Sequence, residues 1–141
     1  MKDVKNRPLK NFLMSTHFNV TFEMMIAEKG NNALGLWLRI VQYIYSNKGY
    51  YMHYDITSKE TQFLVSTKFS STIKETKDLV GYMIENGIFN KEIFDKHGIL
   101  TSQIIQQNYL NYHKRSKKVE IAQEIDLMPK EEQTKKYEWE G

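Results

Sequence analysis

Between Ser71 and Gly87 the apolar residues Ile73, Leu79, Val80, Met83 and Ile84 recur at spacings that gather them on one side of a 3.6-residue helix. Lys74, Lys77, Asp78 and Glu85 then point elsewhere. Ser70 or Ser71 is placed to cap the start, Glu75 in the first turn suits the helix dipole, and Asn86-Gly87 ends the segment with residues that tolerate the left-handed conformation. The preceding stretch carries Ile56, Phe63, Leu64 and Phe69 as its apolar positions, Thr57 or Ser58 as a cap, and Glu60 close enough for a capping box. Only Phe69-Ser70 separates the two. So short a break makes the helices cross steeply, as in a helix-turn-helix, with the second as the recognition helix.

The remaining periodicity extends this frame in both directions. Met1 to Asn11 is polar and reads as a flexible lead, followed by an apolar anchor at Phe12, Leu13, Met14 and Phe18. Asn19 to Glu28 reads as a short helix with Phe22, Met25 and Ile26 on one face and Lys29-Gly30 as its stop. Asn31-Asn32 restarts the chain. Ala33 to Asn47 is apolar nearly all round, the pattern of a helix buried on most of its surface, with Arg39 as a flank residue whose stem packs.

Tyr50 to Tyr54 is an aromatic, strand-like run, and Ile88-Phe89-Asn90 and Ile99-Leu100-Thr101 read as two further short strands around a turn from Lys91 to Gly98. Thr101 or Ser102 caps a last helix through Ile104, Ile105, Tyr109, Leu110 and Tyr112. The expected fold is mainly α with a small antiparallel β-sheet, a winged helix-turn-helix of order α-α-β-α-α-β-β-α. Residues 1–11 form the lead, 12–114 the winged-helix domain, and 115–141 a carboxy-terminal extension, partly helical or mobile. Within the extension Val119, Ile121, Ile125, Leu127 and Met128 extend a helix or dock as a strap, and Pro129 interrupts it.

Composition bounds the function. At 141 residues the chain makes one ordinary domain, and 9 Tyr and 7 Phe argue against disorder despite a mean hydropathy of -0.59. There is no cysteine, which excludes disulfides and thiolate metal sites and permits the cytoplasmic location expected here. No window approaches the apolar length of a membrane span, and no signal-type run follows the amino-terminal charges, so neither secretion nor membrane contact is indicated. The net charge of +3 is only mildly basic.

Catalytic chemistry finds little support. His17, His53, His97 and His113 are dispersed without metal-ligand spacing, the phosphate-cradling glycine loops are absent, and Asp95 beside His97 sits at a turn tip with no nucleophile nearby. The expectation is a protein that is not an enzyme, with no catalytic residue, no metal and no cofactor. Binding remains. Candidate DNA contacts are Lys68, Ser71, Thr72, Lys74 and Lys77 at the recognition helix, Lys91 and Lys96 on the wing, and Lys114 and Arg115 in the basic run after the last helix. No Arg or Asn lies on the recognition face, so strong base readout is not evident. The alternatives are a solvated face of mixed charge and, for the basic run, cations favoured by the carbonyl end of a helix.

The run from Gly87 to Ser102, followed by Ile105-Gln106-Gln107-Asn108-Tyr109-Leu110 and the basic pair Lys114-Arg115, resembles a phage-associated domain of unknown function found at the start of Listeria-type prophage proteins. Gly49-Tyr50-Tyr51-Met52 and the helix around Leu36 to Tyr45 also fit, so the resemblance covers roughly His17 to Met128. That domain is similar to the amino-terminal winged helix of DnaD-like replisome organisers. The resemblance implies phage or mobile-element replication initiation, contact with double-stranded DNA, a homo-oligomer and replication proteins as partners. It carries over no catalytic residue. The competing expectation is an oligomerisation or partner-docking domain, using Tyr50 to Tyr54 and the carboxy-terminal helices, with little DNA binding.

Overall fold

A computed structural model describes residues 7–115 and 119–129. The segments 1–6, 116–118 and 130–141 lie outside the described residues, and with them the start of the expected lead, Lys117 and Lys118 of the basic run, and the charged end of the extension. The most apolar stretch becomes the central helix, α2 (Asn31–Ser46), which buries Ala33, Leu36, Ile40, Val41, Ile44 and Tyr45 and leaves Arg39 exposed. Before it, α1 (Val20–Lys29) begins at Asn19, whose Oδ1 accepts the Phe22 N–H at 2.8 Å. Gly30, at φ +85°, joins the two helices without an intervening loop.

After α2 the chain makes β1 (Met52–His53), α3 (Lys59–Thr67), α4 (Ile73–Glu85), α5 (Lys91–His97), β2 (Ile99–Leu100) and α6 (Gln103–Tyr112). The two strands pair antiparallel, Met52 opposite Leu100 and His53 opposite Ile99. The molecule is thus six helices with a two-stranded sheet among the described residues. Side-chain caps set most helix starts: Ser58 Oγ accepts from Thr61 N–H, Asn90 Oδ1 from Ile93 N–H and Ser102 Oγ from Ile105 N–H. Each such cap stabilises its helix by about 1 kcal/mol.

The structure corrects several expectations. Ile88-Phe89-Asn90 is not a strand and Lys91 to Gly98 is not a turn; the latter is α5, so the observed order is α-α-β-α-α-α-β-α. The physical reason is local. Asn90 caps it, Glu92 lies in its first turn, Lys96 and His97 in its last, and Gly98 closes it in the left-handed conformation at φ 67°, ψ 33°. Ile93 is buried and Phe94 half-buried, so the segment also has an apolar face. One trace of the expected third strand persists, the Asn90 N–H donating to the Thr101 carbonyl at 2.8 Å.

Two further corrections concern apolar residues. Leu13, expected as an anchor, is 88% exposed, and Met14 is also exposed. Phe63 faces solvent too, while Val65, on the other side of α3, is buried. Phe12 and Phe18 of the expected anchor do pack against the core, and Leu9, in the segment expected to be a flexible lead, is buried as well, its N–H donating to the Tyr45 carbonyl at 2.7 Å. Phe12 packs its ring 4.6 Å from that of Tyr45.

Beyond α6 the strap docks. Val119, Ile121, Ile125 and Met128 are buried, with a single 3-10 turn at Gln123–Ile125. Gln106, fully buried on α6, donates from Nε2 to the Ile125 carbonyl at 2.8 Å and accepts the Leu127 N–H at 2.7 Å. The Tyr50 hydroxyl accepts the Ala122 N–H at 3.1 Å. A buried amide so placed has its polar atoms satisfied by the strap, at a site where an unsatisfied one would cost about 1–3 kcal/mol.

Candidate nucleic-acid interface

Helices α3 and α4 pack on each other across a five-residue connection, Lys68 to Thr72. Phe69 fixes it from below: it is buried, and its ring meets that of Tyr43 edge-on with centroids 6.0 Å apart. Ser70 reverses the chain at φ 54°, the one left-handed residue other than glycine among those described. Thr72, one residue later than the expected Ser70 or Ser71, caps α4 by accepting the Glu75 N–H at 3.0 Å. Ser71 is turned to the carboxylate of Glu75, to which its hydroxyl donates at 3.0 Å, and Asn32 Nδ2 donates to the same carboxylate at 3.3 Å. The helix start is therefore tied to the start of α2, and two of the expected DNA contacts, Ser71 and Thr72, already serve its capping.

The lysines divide. Lys68, Lys74 and Lys77 are exposed and have no ion-pair partner among the described residues. Lys74 and Lys77 line a groove of about 730 Å³ together with Lys29, Asp78, Tyr82 and Phe94. On its α1 side Lys29 pairs with Asp78 at 3.6 Å and sits 5.4 Å from the Tyr82 ring centroid, while the Tyr82 hydroxyl donates to Glu28 at 2.8 Å. That hydrogen bond, with the charge of Glu28, raises the Tyr82 pKa.

On the opposite side, α5 forms the wall. Lys91 pairs with Asp95 at 3.0 Å and Glu85 at 3.5 Å, and Lys96 with Glu92 at 3.4 Å. The hydrogen bond to Asp95, followed by the charges of Asp95 and Glu85, raises the Lys91 pKa and holds it cationic. These two lysines spend their charge on neighbouring carboxylates. Lys114 and Arg115, the remaining expected contacts, are exposed at the far end of α6 beside the amino-terminal segment, where His113 Nε2 lies 3.2 Å from the Arg7 carbonyl oxygen.

A family model described as "Lin1244/Lin1753-like, N-terminal" matches residues 13–105. The chain belongs to this family. Comparisons with curated proteins and with solved structures found no match. The Lin1244/Lin1753-like match runs from the segment before α1 to the first turn of α6, so it includes α3 and the groove that α1, α4 and α5 line. Arg7, Lys10, Lys114, Arg115 and the strap fall outside it. The match does not extend to the DnaD-like relationship expected from the sequence.

Groove residues that sequence reasoning missed are Lys29, Tyr82 and Phe94. Lys29 reads only as a helix stop, and nothing in the local pattern places it beside Asp78, 49 positions away. Among the described residues no group of His, Asp and Glu is arranged to hold a metal ion, and no helix is long and apolar enough to cross a membrane.

Proposed function

We propose that this domain is a non-enzymatic, DNA-binding helix-turn-helix module acting in the replication of a phage or other mobile element. The observation that carries the reading is the exposed start of α4, with Lys68, Lys74 and Lys77 in no ion pair among the described residues, around a turn held by Phe69 and Ser70. Exposed lysines at a helix start contact phosphates and position the protein without selecting sequence. The module is of winged-helix type with one change: α5 takes the place of the first strand of the wing, and its lysines support the fold rather than DNA. The replication role rests on the likeness to replisome organisers drawn from the sequence.

The test is binding to duplex DNA at several salt concentrations. The expected result is log K falling linearly with log salt, by about 0.9 per phosphate contacted. Absence of binding at low salt would sink the reading.

A second reading has its own observation. The outer face of α1 exposes Val20 (74%) and Met24, one turn apart, and Leu13 and Met14 precede it. An apolar face of this kind supports self-association or a protein partner. Sedimentation of the wild type and of the Val20→Glu/Met24→Glu variant decides it: an oligomer abolished by the pair of charges supports docking, and a monomer in both removes self-association.

A further inference from the structure

Along α4 the residues Lys74, Asp78, Gly81 and Glu85 follow one another at helical spacing, which sets them in a row on one face. That row is the floor of the groove, with Lys29 of α1 on one side and Phe94 and Asp95 of α5 on the other. Both walls are pinned to the floor. Lys29 pairs with Asp78 and the Tyr82 hydroxyl donates to Glu28 on the α1 side, while on the α5 side Lys91 reaches both Glu85 and Asp95. At about 1.5 Å per residue the floor runs about 17 Å from Lys74 to Glu85.

Gly81 is the unexplained residue of this floor. It lies half-buried inside α4, away from both ends, and a Cβ built on it would meet no heavy atom within 4 Å. It is not among the glycines of positive φ. Neither packing nor backbone geometry therefore calls for glycine, the poorest helix former after proline. What glycine supplies here is bare backbone, against which another molecule can lie close. The apolar ground beside it comes from Tyr82, Ile84 and Phe94, and the Phe94 ring is backed by that of Tyr54 at 6.1 Å.

The charges of the groove are sorted along its length. Towards the start of α4, Lys74 and Lys77 are exposed and enter no ion pair among the described residues, and Glu75 is held on Ser71 and Asn32. In the middle Lys29 and Asp78 cancel. At the far end the two carboxylates Glu85 and Asp95 share the single cation Lys91. A phosphate backbone laid along the floor would be attracted at one end and repelled at the other. A peptide places its charges one by one, so it can set carboxylates over Lys74 and Lys77 and present an apolar side chain to Gly81 and Phe94.

We infer that the groove lined by α1, α4 and α5 is a docking site for an acidic peptide of a partner protein, which seats an aromatic side chain over Gly81 and sets carboxylates against Lys74 and Lys77. The site goes beyond the DNA reading and does not depend on it. Where both hold, peptide and DNA compete for Lys74 and Lys77, so that docking of the partner releases the α4 contact. Every lining residue falls within 13–105, so the groove belongs to the stretch shared with the family.

The test uses the full chain and a fluorescein-labelled peptide of alternating glutamate and alanine around a single tryptophan, read by anisotropy, with single-stranded and duplex DNA as the competing probes. Gly81→Leu fills the floor with a better helix former, so it should weaken peptide binding by at least about tenfold while melting no lower than the wild type. Gly35→Leu is the matched control, because Gly35 is an equally open helical glycine that does not line the groove, and it should leave peptide binding unchanged. Lys74→Glu/Lys77→Glu should also weaken the peptide, and amide resonances of Lys77, Gly81 and Phe94 should shift when it is added to the wild type. Peptide binding that survives Gly81→Leu, or a wild type that ignores the peptide at about millimolar concentration, overturns the site. Absence of peptide binding together with single-stranded DNA binding that Gly81→Leu removes overturns it in favour of a nucleic-acid groove. Peptide binding with no DNA binding at low salt supports the site and removes the DNA reading, whereas DNA binding without peptide binding does the reverse.

Discussion

Helices α4 and α5 each carry two lysines on exposed turns, yet their charges have different fates. In α4 the neighbours of Lys74 and Lys77 are engaged elsewhere: Glu75 is held by Ser71 and Asn32, and Asp78 by Lys29. In α5 the carboxylates sit four residues from the lysines, as Lys91 with Asp95 and Glu92 with Lys96, and close on them. Such exposed pairs add little to the stability of a surface helix. Their larger effect is to cancel the field a phosphate would meet. A count of lysines therefore says little about affinity until the partner of each is known.

Charge reversal exposes that difference most directly. Lys74→Glu/Lys77→Glu is expected to weaken duplex binding by at least about tenfold at 0.1 M salt, with the salt slope reduced by about 1.8, whereas Lys91→Glu/Lys96→Glu changes affinity by less than about threefold. Equal losses in the two, read by anisotropy on the same duplex, would erase the distinction between the helices.

The turns that launch the two helices offer a second comparison. Ser70 holds a left-handed backbone, so Ser70→Val should cost about 1–2 kcal/mol in a denaturant melt. Removing the cap of α5 with Asn90→Ala should cost about 1 kcal/mol. A neutral Ser70→Val would mean that the chain relaxes out of the strained turn.

High pH acts on the side of α5. Burial, with a smaller contribution from the charge of Asp55, pushes Tyr54 up to about 12 from its ordinary 10.0, and its ring lies 6.1 Å from that of Phe94 on α5. Tyr45 and Tyr109 are also pushed up to about 12, mainly by burial. Each of these phenols holds its proton more tightly folded than unfolded. Stability is thus intact below pH 10 and declines as pH rises from 10 toward 12. Denaturant midpoints across that window should fall, and Tyr54→Phe should make the fall shallower; a flat profile for the wild type would contradict the burial of these hydroxyls.

The smallest effect lies within α4. Thr76 is buried and its hydroxyl has no hydrogen-bond partner among the described residues, so Thr76→Val should stabilise by up to about 1 kcal/mol. A destabilised variant would reveal a partner for that hydroxyl in solution.

Periodicity made α1, α2, α4 and α6 legible, because each runs long enough for its buried face to repeat; α3 was legible by its cap at Ser58 rather than by its face, and Asn19 and Ser102 mark the starts of α1 and α6. Helix α5 was less legible. Its seven residues span two turns, and Asp95-Lys96-His97-Gly98 has the composition of a loop, although Asn90, the two charge pairs and Gly98 together spell a capped helix. The candidate site was legible as residues and illegible as geometry. Lysine positions are visible in a sequence, but whether Lys91 meets Glu85 or Lys29 meets Asp78 depends on which helices become neighbours.

The docking of the strap through Gln106 sets where this protein can be cut. A fragment ending at residue 105 would lack most of α6, and one ending at residue 115 would uncover the apolar surface beneath Val119, Ile121, Ile125 and Met128 while leaving the Gln106 amide with no acceptor at Ile125. The stretch by which relatives are recognised is thus shorter than the stretch that folds as a unit. Grafting, fusion or shuffling of this domain should place its carboxy-terminal junction after Met128.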